Sequence, residues 1–302
     1  MSLTAIPLPS LEPGSDEWMK RMTASKVAAV LGLSPWESRF SLWHRMAGLV
    51  EQTSDTNQTR RGHYLEDGVA RWFADQHPEF MVLSGGGAWA HEDREWQAAS
   101  PDRVLSASAP GTSGALLEIK TSNYDDEWGE PGTDQIPPYY RAQVVWQMDT
   151  LGIPVCYVAV LLGSGLRFAE YVVHYDESEA AYIRAEAKAF MDSLPGGPAE
   201  QRPDIDGHSE TYASIRQINP DIDGDVHVPD DLAQRYIAAV TASKAAKATE
   251  QQACSELADH MGAARRALWL GKSIATRQQR NGGTPYLVAA RKFPELLEET
   301  AA

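Results

Sequence analysis

The longest unbroken apolar run in this chain, Val155 to Leu162, is eight residues. That is far below the ~20 that a membrane-spanning helix needs, and it reads as a buried strand. The segments around it alternate in type. Ser15 to Leu31 and Phe40 to Ala47 carry apolar residues at helical spacing, separated by a turn from Gly32 to Trp36. Glu51 to Gln58 is polar and predicts a mobile loop. Gly62 to Phe73 is helical again, with Leu65, Val69, Trp72 and Phe73 on one face. Short extended segments follow at Met81 to Leu83, Ala88 to His91, Ala98 to Leu105 and Ala115 to Thr121, the last two joined as a hairpin at Gly111-Thr112-Ser113-Gly114. Pro138 to Leu151 returns to a helix, Phe168 to Tyr175 is a further strand, and Ser178 to Leu194 is a long helix. Strands and helices mixed in this order predict an α/β core that ends near residue 195.

An apolar fraction of 43% with nine Trp supplies a sizeable core. Two cysteines, Cys156 and Cys254, exclude a disulfide framework, a four-Cys zinc site and a cysteine-ligated iron–sulfur cluster. The N-terminal MSLTAIPLPS lacks a basic segment followed by an apolar one, so the expectation is a soluble, cytoplasmic protein without membrane contact. Acidic side chains outnumber basic ones 42 to 27, for a net charge of −15. A uniformly negative surface would repel duplex DNA. The charge is uneven, however. Residues 1–200 hold 15 basic and 28 acidic side chains; residues 201–302 hold 12 and 14. Residues 260–294 carry no Asp or Glu but seven cations: Arg265, Arg266, Lys272, Arg277, Arg280, Arg291 and Lys292. A solvated basic face and a contact with nucleic acid or an acidic partner are both open for that stretch.

The composition divides the chain into residues 1–200, a connector at 201–229 rich in Asp, Pro and Gly, and a tail at 230–302. In the connector the pentapeptide PDIDG occurs twice, at Pro203 to Gly207 and Pro220 to Gly224. Neither copy has EF-hand ligand spacing, so paired turns around a short helix are expected. The tail reads as an Ala-rich helix or helical hairpin over Asp230 to Leu268, then two basic extended pieces around Asn281-Gly282-Gly283.

The residues that could carry chemistry lie between Glu66 and Gln143. Ser100-Pro101-Asp102 ends one extended segment, and Glu118-Ile119-Lys120 lies in the next. On a strand, Glu118 and Lys120 project to one face while Leu117 and Ile119 pack on the other. Two carboxylates and an ammonium beside an apolar strand are costly to bury uncompensated. A divalent cation between Asp102 and Glu118 would compensate them, and all-carboxylate ligation suits Mg²⁺ or Mn²⁺ rather than zinc. Such an ion polarises a phosphate oxygen and lowers the pKa of bound water, with Lys120 positioning that water or screening developing charge. From Glu-x-Lys alone, a structural salt bridge between Lys120 and one carboxylate is the favoured explanation, because the tripeptide is common.

Ser-Pro-Asp followed by Glu-Ile-Lys sixteen residues later is the PD-(D/E)xK nuclease signature. Upstream stand Met22-Thr23-Ala24-Ser25, Leu31-Gly32-Leu33-Ser34-Pro35-Trp36 and Arg61-Gly62-His63-Tyr64-Leu65-Glu66; downstream stands Tyr140-Arg141-Ala142-Gln143-Val144. In this order, over about residues 15–195, the set resembles the YqaJ-type, lambda-exonuclease-like viral recombinase family of the PD-(D/E)xK superfamily. The resemblance implies a restriction-endonuclease-like α/β core, a mixed central sheet flanked by helices, with a mainly helical C-terminal appendage. It implies Asp102 and Glu118 as metal ligands, Lys120 as the catalytic lysine, Glu66 as a helix carboxylate at the metal, and Gln143 as the active-site glutamine, with Gln147 one turn on as the alternative. Ser25, Ser100 and Arg21 correspond to a pocket for a DNA 5′-phosphate, the spacing from Arg21 to Ser25 being shorter than in the lambda enzyme. The implied activity is 5′-to-3′ hydrolysis of linear duplex DNA ends with Mg²⁺ or Mn²⁺, leaving 3′ single strands for an annealing protein, and the implied assembly is a trimeric ring. A non-catalytic DNA-end scaffold and an endonuclease of the same fold are the alternatives.

Other motifs are weaker. Gly271-Lys272-Ser273 lacks the first glycine of a P-loop, Arg266 standing there, so ATP binding is not expected. Gly85-Gly86-Gly87 reads as a turn and His91 as a surface histidine. Trp36, Trp43, Trp72 and Trp146 could stack on bases but at helical spacing read as core. Arg60, Arg61, Arg103 and Arg141 near the motifs would form a local basic channel for DNA.

Overall fold

The computed structural model describes residues 5–9, 11–12, 14–51, 57–107 and 114–296. The apolar octet is strand β8 (Val155–Leu162). It runs parallel to β7 (Ala115–Ser122) and antiparallel to β9 (Arg167–His174). Two further strands, β3 (Phe80–Ser84) and β6 (Arg103–Ala107), complete a five-stranded mixed sheet in the order β3-β6-β7-β8-β9. A strand apolar on both faces needs cover on both. On one face Ala115, Leu117, Ile119, Ala159 and Leu161 meet Val69, Ala70 and Phe73 of helix α4 (Asn57–Gln76). On the other, Leu116, Cys156, Val158 and Val160 join the larger core with α5 (Pro138–Leu151), α2 (Ala24–Val30), α3 (Arg39–Met46) and α6 (Glu177–Asp192). The result is an α/β core with a mixed central sheet flanked by helices.

Two expected segments divide. Ser15 to Leu31 contains α1 (Asp16–Met19), then β2 (Met22–Thr23), then α2. Ala98 to Leu105 is interrupted at Ser100-Pro101-Asp102, so that β5 (Arg94–Ala99) and β6 fall in different sheets. The second sheet has the order β1-β4-β5-β2, with β1 at Ala5–Leu8 and β4 at Ala88–His91. Pro101 has no N–H to give a ladder, which favours a change of sheet there. Helix α5 contacts both sheets and donates Trp146 Nε1 to Ala98 O at 3.0 Å. The hairpin turn at 111–114 and the loop at 51–58 fall largely outside the described residues; Asn57 and Gln58 already belong to α4.

His91 is buried, not a surface residue: its Nδ1 accepts from Asp93 N at 3.1 Å where the β4–β5 register shifts. Trp43 and Trp146 are core, as their spacing suggests, whereas Trp36 and Trp72 are 60% and 46% exposed. Gly86 and Gly87 adopt positive φ between β3 and β4, the turn expected there.

Residues Met1–Asp221 and Ile222–Ala302 form two compact units. In the first, α7 (Ser209–Ile218) lies between the PDIDG copies and contacts α3, with Thr211 Oγ1 donating to Ser38 Oγ at 2.7 Å. In the second, Asp230–Met261 is one continuous helix, α8, rather than a hairpin. No Gly or Pro interrupts it before Gly262, which leaves nothing to turn the chain. Three strands follow: β10 (Arg266–Trp269), β11 (Lys272–Gln278) and β12 (Tyr286–Ala289). Among the described residues no helix is long and apolar enough to cross a membrane.

Asp149, near the end of α5, ties the first unit together. Its carboxylate is 8% exposed and accepts from Arg184 Nη1 (2.5 Å), Gln97 Nε2 (2.7 Å), Tyr175 OH (2.9 Å) and Arg94 Nη2 (3.1 Å). Removing one member of a buried charged network strands the others. Asp149→Ala is therefore expected to lower unfolding stability by about 3 kcal/mol in urea titration; a loss within error of zero would show the network to be idle.

Candidate active site

Glu118 is at the centre of β7, facing α5, and is 2% exposed. Three donors converge on its carboxylate. Lys120 Nζ and Gln143 Nε2 reach Oε1, each at 2.5 Å, and Gln147 Nε2 reaches Oε2 at 2.9 Å. Gln143 and Gln147 are one helical turn apart, so both point from α5 at the same strand position. The two glutamines expected as alternatives act together, one on each oxygen. Gln147 Oε1 is buried without a hydrogen-bond partner.

Asp102 approaches from the β5–β6 crossing. Its Oδ2 accepts the backbone N–H of Ile119 at 2.7 Å, which places it beside the Glu118–Lys120 pair. Gly85 makes that placement possible. A Cβ there would lie 1.8 Å from the Pro101 carbonyl oxygen, and Gly85 N donates to Asp102 O at 3.2 Å. Burial, then the Glu118 charge, push the Asp102 carboxyl up to about 8. Burial opposes the Lys120 ammonium, yet Glu118 and Asp102 outweigh it and hold its pKa above the ordinary lysine value. Two buried carboxylates sharing one ammonium leave negative charge unmatched, and a buried amide oxygen beside them lacks a donor. That donor set fits a hard divalent cation.

Glu66 does not join them. Its helix α4 covers the Leu117–Ile119 face, opposite Glu118, and Glu66 Oε1 accepts from Arg103 Nη1 at 2.5 Å. Arg103 also bonds Asp67 at 2.6 Å and Asp102 O at 2.7 Å. Among the described residues no three His, Cys, Asp or Glu side chains are gathered as a metal cluster.

The three pocket residues divide similarly. Strand β2 pairs parallel to β5 with Thr23 opposite Ala98. Ser25 and Ser100 each follow two residues later, so both leave the same end of adjacent strands, and both are exposed. Arg21 turns elsewhere: Nη1 donates to Glu95 O, Nη2 is 3.8 Å from Glu17, and Nε is buried without a partner. The expected basic channel is also largely committed. Arg141 forks onto Glu179 and reaches Asp134, Arg61 bonds Asn123, and Arg103 holds Glu66 and Asp67.

Sequence reasoning passed over Tyr140, whose ring centre is 4.9 Å from Lys120 Nζ. It precedes Gln143 by three residues, and the 140/143/147 spacing on one helix face was the available signal. Tyr140 continues through Tyr139 to exposed Trp36, with ring centres 4.5 and 5.0 Å apart.

Lys26 shapes the segment that carries Arg21 and Ser25. Its side chain is buried, donating to Trp18 O at 2.5 Å and Arg21 O at 2.6 Å, over the Trp18 ring. Burial, then Arg45, push its pKa down to about 6. Between there and the ~10.4 of an unfolded lysine, the unfolded chain binds a proton that the folded chain lacks, so stability rises with pH. The wild type should gain stability over Lys26→Met from about pH 6.5 to 9.5 in urea titrations; parallel pH profiles would contradict this.

Solved structures that align with part of this chain include the alkaline exonuclease LHK-Exo of Laribacter hongkongensis, at 22% identity and a TM-score of 0.47 over 60% of this chain and 93% of that one. A phage-related exonuclease from Haemophilus somnus 129PT aligns at 11% identity and a TM-score of 0.42, over 57% and 92%. The uncharacterized protein YqaJ of Bacillus subtilis (strain 168) is 28% identical over 221 residues, which is 68% of this chain and 64%, just under two thirds, of that relative's length. Residues 18–153 match the model of the YqaJ-like viral recombinase domain family.

Proposed function

We propose that this protein is a metal-dependent exonuclease that hydrolyses linear duplex DNA from the 5′ end in phage or prophage recombination, leaving a 3′ single strand for an annealing protein. The observation that carries this reading is the convergence of Lys120, Gln143 and Gln147 on buried Glu118, with Asp102 beside them. Asp102 and Glu118 would hold Mg²⁺ or Mn²⁺, with Glu66 joining on release from Arg103. When bound, such an ion polarises a phosphate oxygen and acidifies water. The two glutamines fix the Glu118 carboxylate, so a ligand atom is aimed before substrate arrives. Lys120 is a permanently charged donor that orients the attacking water and screens the charge developing on phosphate. In the reaction, water oxygen bonds to phosphorus, the P–O bond to the 3′ oxygen breaks, and that oxygen leaves as a hydroxyl. Ser25 and Ser100 offer hydroxyl donors to the 5′-phosphate; Arg21 adds a guanidinium when it exchanges the Glu95 carbonyl for that anion. Exposed Trp36 presents an aromatic face to a base.

A DNA-end scaffold of the same fold is the competing reading, favoured by the pairing of Glu66 with Arg103. End-labelled linear duplex separates the two. Wild-type protein should degrade it with Mg²⁺ or Mn²⁺ and stop in EDTA, and Lys120→Ala or Glu118→Ala should abolish degradation. Unchanged rates in those variants would refute the site, and a metal-independent gel shift without cleavage would establish the scaffold. Gln147→Leu should slow the reaction by roughly 10-fold or more by freeing one Glu118 oxygen. Rates should fall on 5′-hydroxyl ends, while equal rates would remove the pocket; a closed circular substrate reports endonuclease action.

A further inference from the structure

The two units differ sharply in charge. Residues 1–221 hold 32 acidic and 17 basic side chains, and residues 222–302 hold 10 of each. The whole net charge of −15 therefore lies in the first unit. Within the second, seven of the acids lie on or before α8 and three at 295–299, while residues 260–294 have none. At the density of the whole chain, 42 acids in 302 residues, a stretch of that length would hold about five.

The acid-free stretch folds into the antiparallel sheet β10-β11-β12. Cross-strand partners share a face, and residues two apart on a strand share a face. Ala267, Ala275 and Ala289 are in register, and Ala267 and Ala275 pack with Met261, Leu257 and Leu287. The opposite face has the row Arg266, Thr276 and Val288 and the row Gln278 and Tyr286. The register skips Ile274 in β11, so Leu268, paired with Ser273, joins that face, while Trp269 and Lys272 fall on the side of Ala267. Arg280 lies over the Tyr286 ring at 5.9 Å. Among the described residues, Arg266, Lys272 and Arg280 pair with no carboxylate.

We propose that this outward face of the β10-β11-β12 sheet is a second nucleic-acid-binding surface, holding DNA backbone through Arg266 and Arg280 with Tyr286 as a stacking face. That the polyanion is DNA rests on the exonuclease reading above. Cations interleaved with amide and hydroxyl donors and an aromatic ring meet both phosphates and bases; an acidic peptide would need only the cations. The first unit supplies a reason for such a surface. It repels a polyanion, and Arg103 and Arg141 are already neutralised by carboxylates.

The test uses the full chain carrying Lys120→Ala, in EDTA, with fluorescence anisotropy on a labelled duplex and a labelled single strand over about 50 to 300 mM salt. Combining Arg266→Gln and Arg280→Gln should weaken binding at least ~10-fold near 100 mM salt and flatten the log–log salt slope by about 2. The same charge removed from α8, by Arg235→Gln and Lys244→Gln, should leave binding within about twofold. Far-UV circular dichroism confirms that both double variants fold; if the sheet double does not, Arg266→Gln alone, expected to flatten the slope by about 1, replaces it. Unchanged binding in the sheet variant, an equal loss in the α8 variant, or displacement of DNA by polyglutamate at equal charge would overturn the proposal. The nuclease reading is scored separately, by Mg²⁺-dependent degradation with the wild type. Loss of binding in the sheet variant therefore stands even if the wild type cleaves nothing.

Discussion

A carboxylate with 2% exposure in the middle of a sheet has lost nearly all its water, and everything around Glu118 answers that loss. Three donors replace solvent: one charged, two neutral. A lysine alone would leave one oxygen unsatisfied, and glutamines alone would leave the charge unmatched. The arrangement needs α5 on that face of β7 with two amides one turn apart, and it needs β8 beside β7 so that the strand is held from the interior of the sheet. The apolar octet and the polar triad are therefore parts of one construction. The octet fixes the strand order that buries Glu118, and the helix that covers the octet carries the amides that make the burial tolerable.

The position of Asp102 depends on backbone rather than side chains. Chain leaving β5 must change sheets within three residues to enter β6, and Gly85 lets two backbones meet at a separation no other residue allows. Once there, the aspartate is steadied by a single N–H from Ile119 and raised by its neighbour's charge. The site is electrostatically overloaded on one side of the strand, while Glu66 is paired with Arg103 on the other. Arg103 links the two sides, because it bonds Glu66, Asp67 and the Asp102 carbonyl simultaneously.

Much of this was legible from the sequence. Strand periodicity placed Glu118 and Lys120 on one face and Leu117 and Ile119 on the other, and the octet, α5 and α6 fall within two or three residues of expectation. What was not legible shares one cause: tertiary partners decided it. Met22–Thr23 is too short to announce itself as a strand and exists because β5 offers an edge. Ala98 to Leu105 reads as continuous because alternation cannot show that a chain changes sheets at a proline. The burial of His91 follows from a register shift that sequence does not record. Tyr140 was within the motif that drew attention to Gln143, yet its meeting with Lys120 needs the packing of α5 on β7.

Charge is where sequence and structure correct one another most. A total of −15 suggests repulsion of DNA, and cations near the motifs suggest a compensating channel. The structure removes much of that channel: Arg141 is locked in a fork with Glu179, and Arg103 serves Glu66 and Asp67, while Arg61, bonded to the neutral Asn123 amide, keeps its charge. Guanidiniums committed in this way stabilise the fold but add little positive potential for a substrate to feel. The cations that remain available in number are in the second unit, on a sheet whose other face is closed by Met261 and two alanines. Segregation of this kind cannot be a by-product of solubility, since dispersing the same charges would serve solubility better. On the proposed reading, an acidic, cation-hungry site in one unit and an acid-free sheet in the other would separate two tasks that share one polyanion: chemistry at a phosphate, where local negative charge would gather the metal, and retention of the strand, where that negative charge would oppose it.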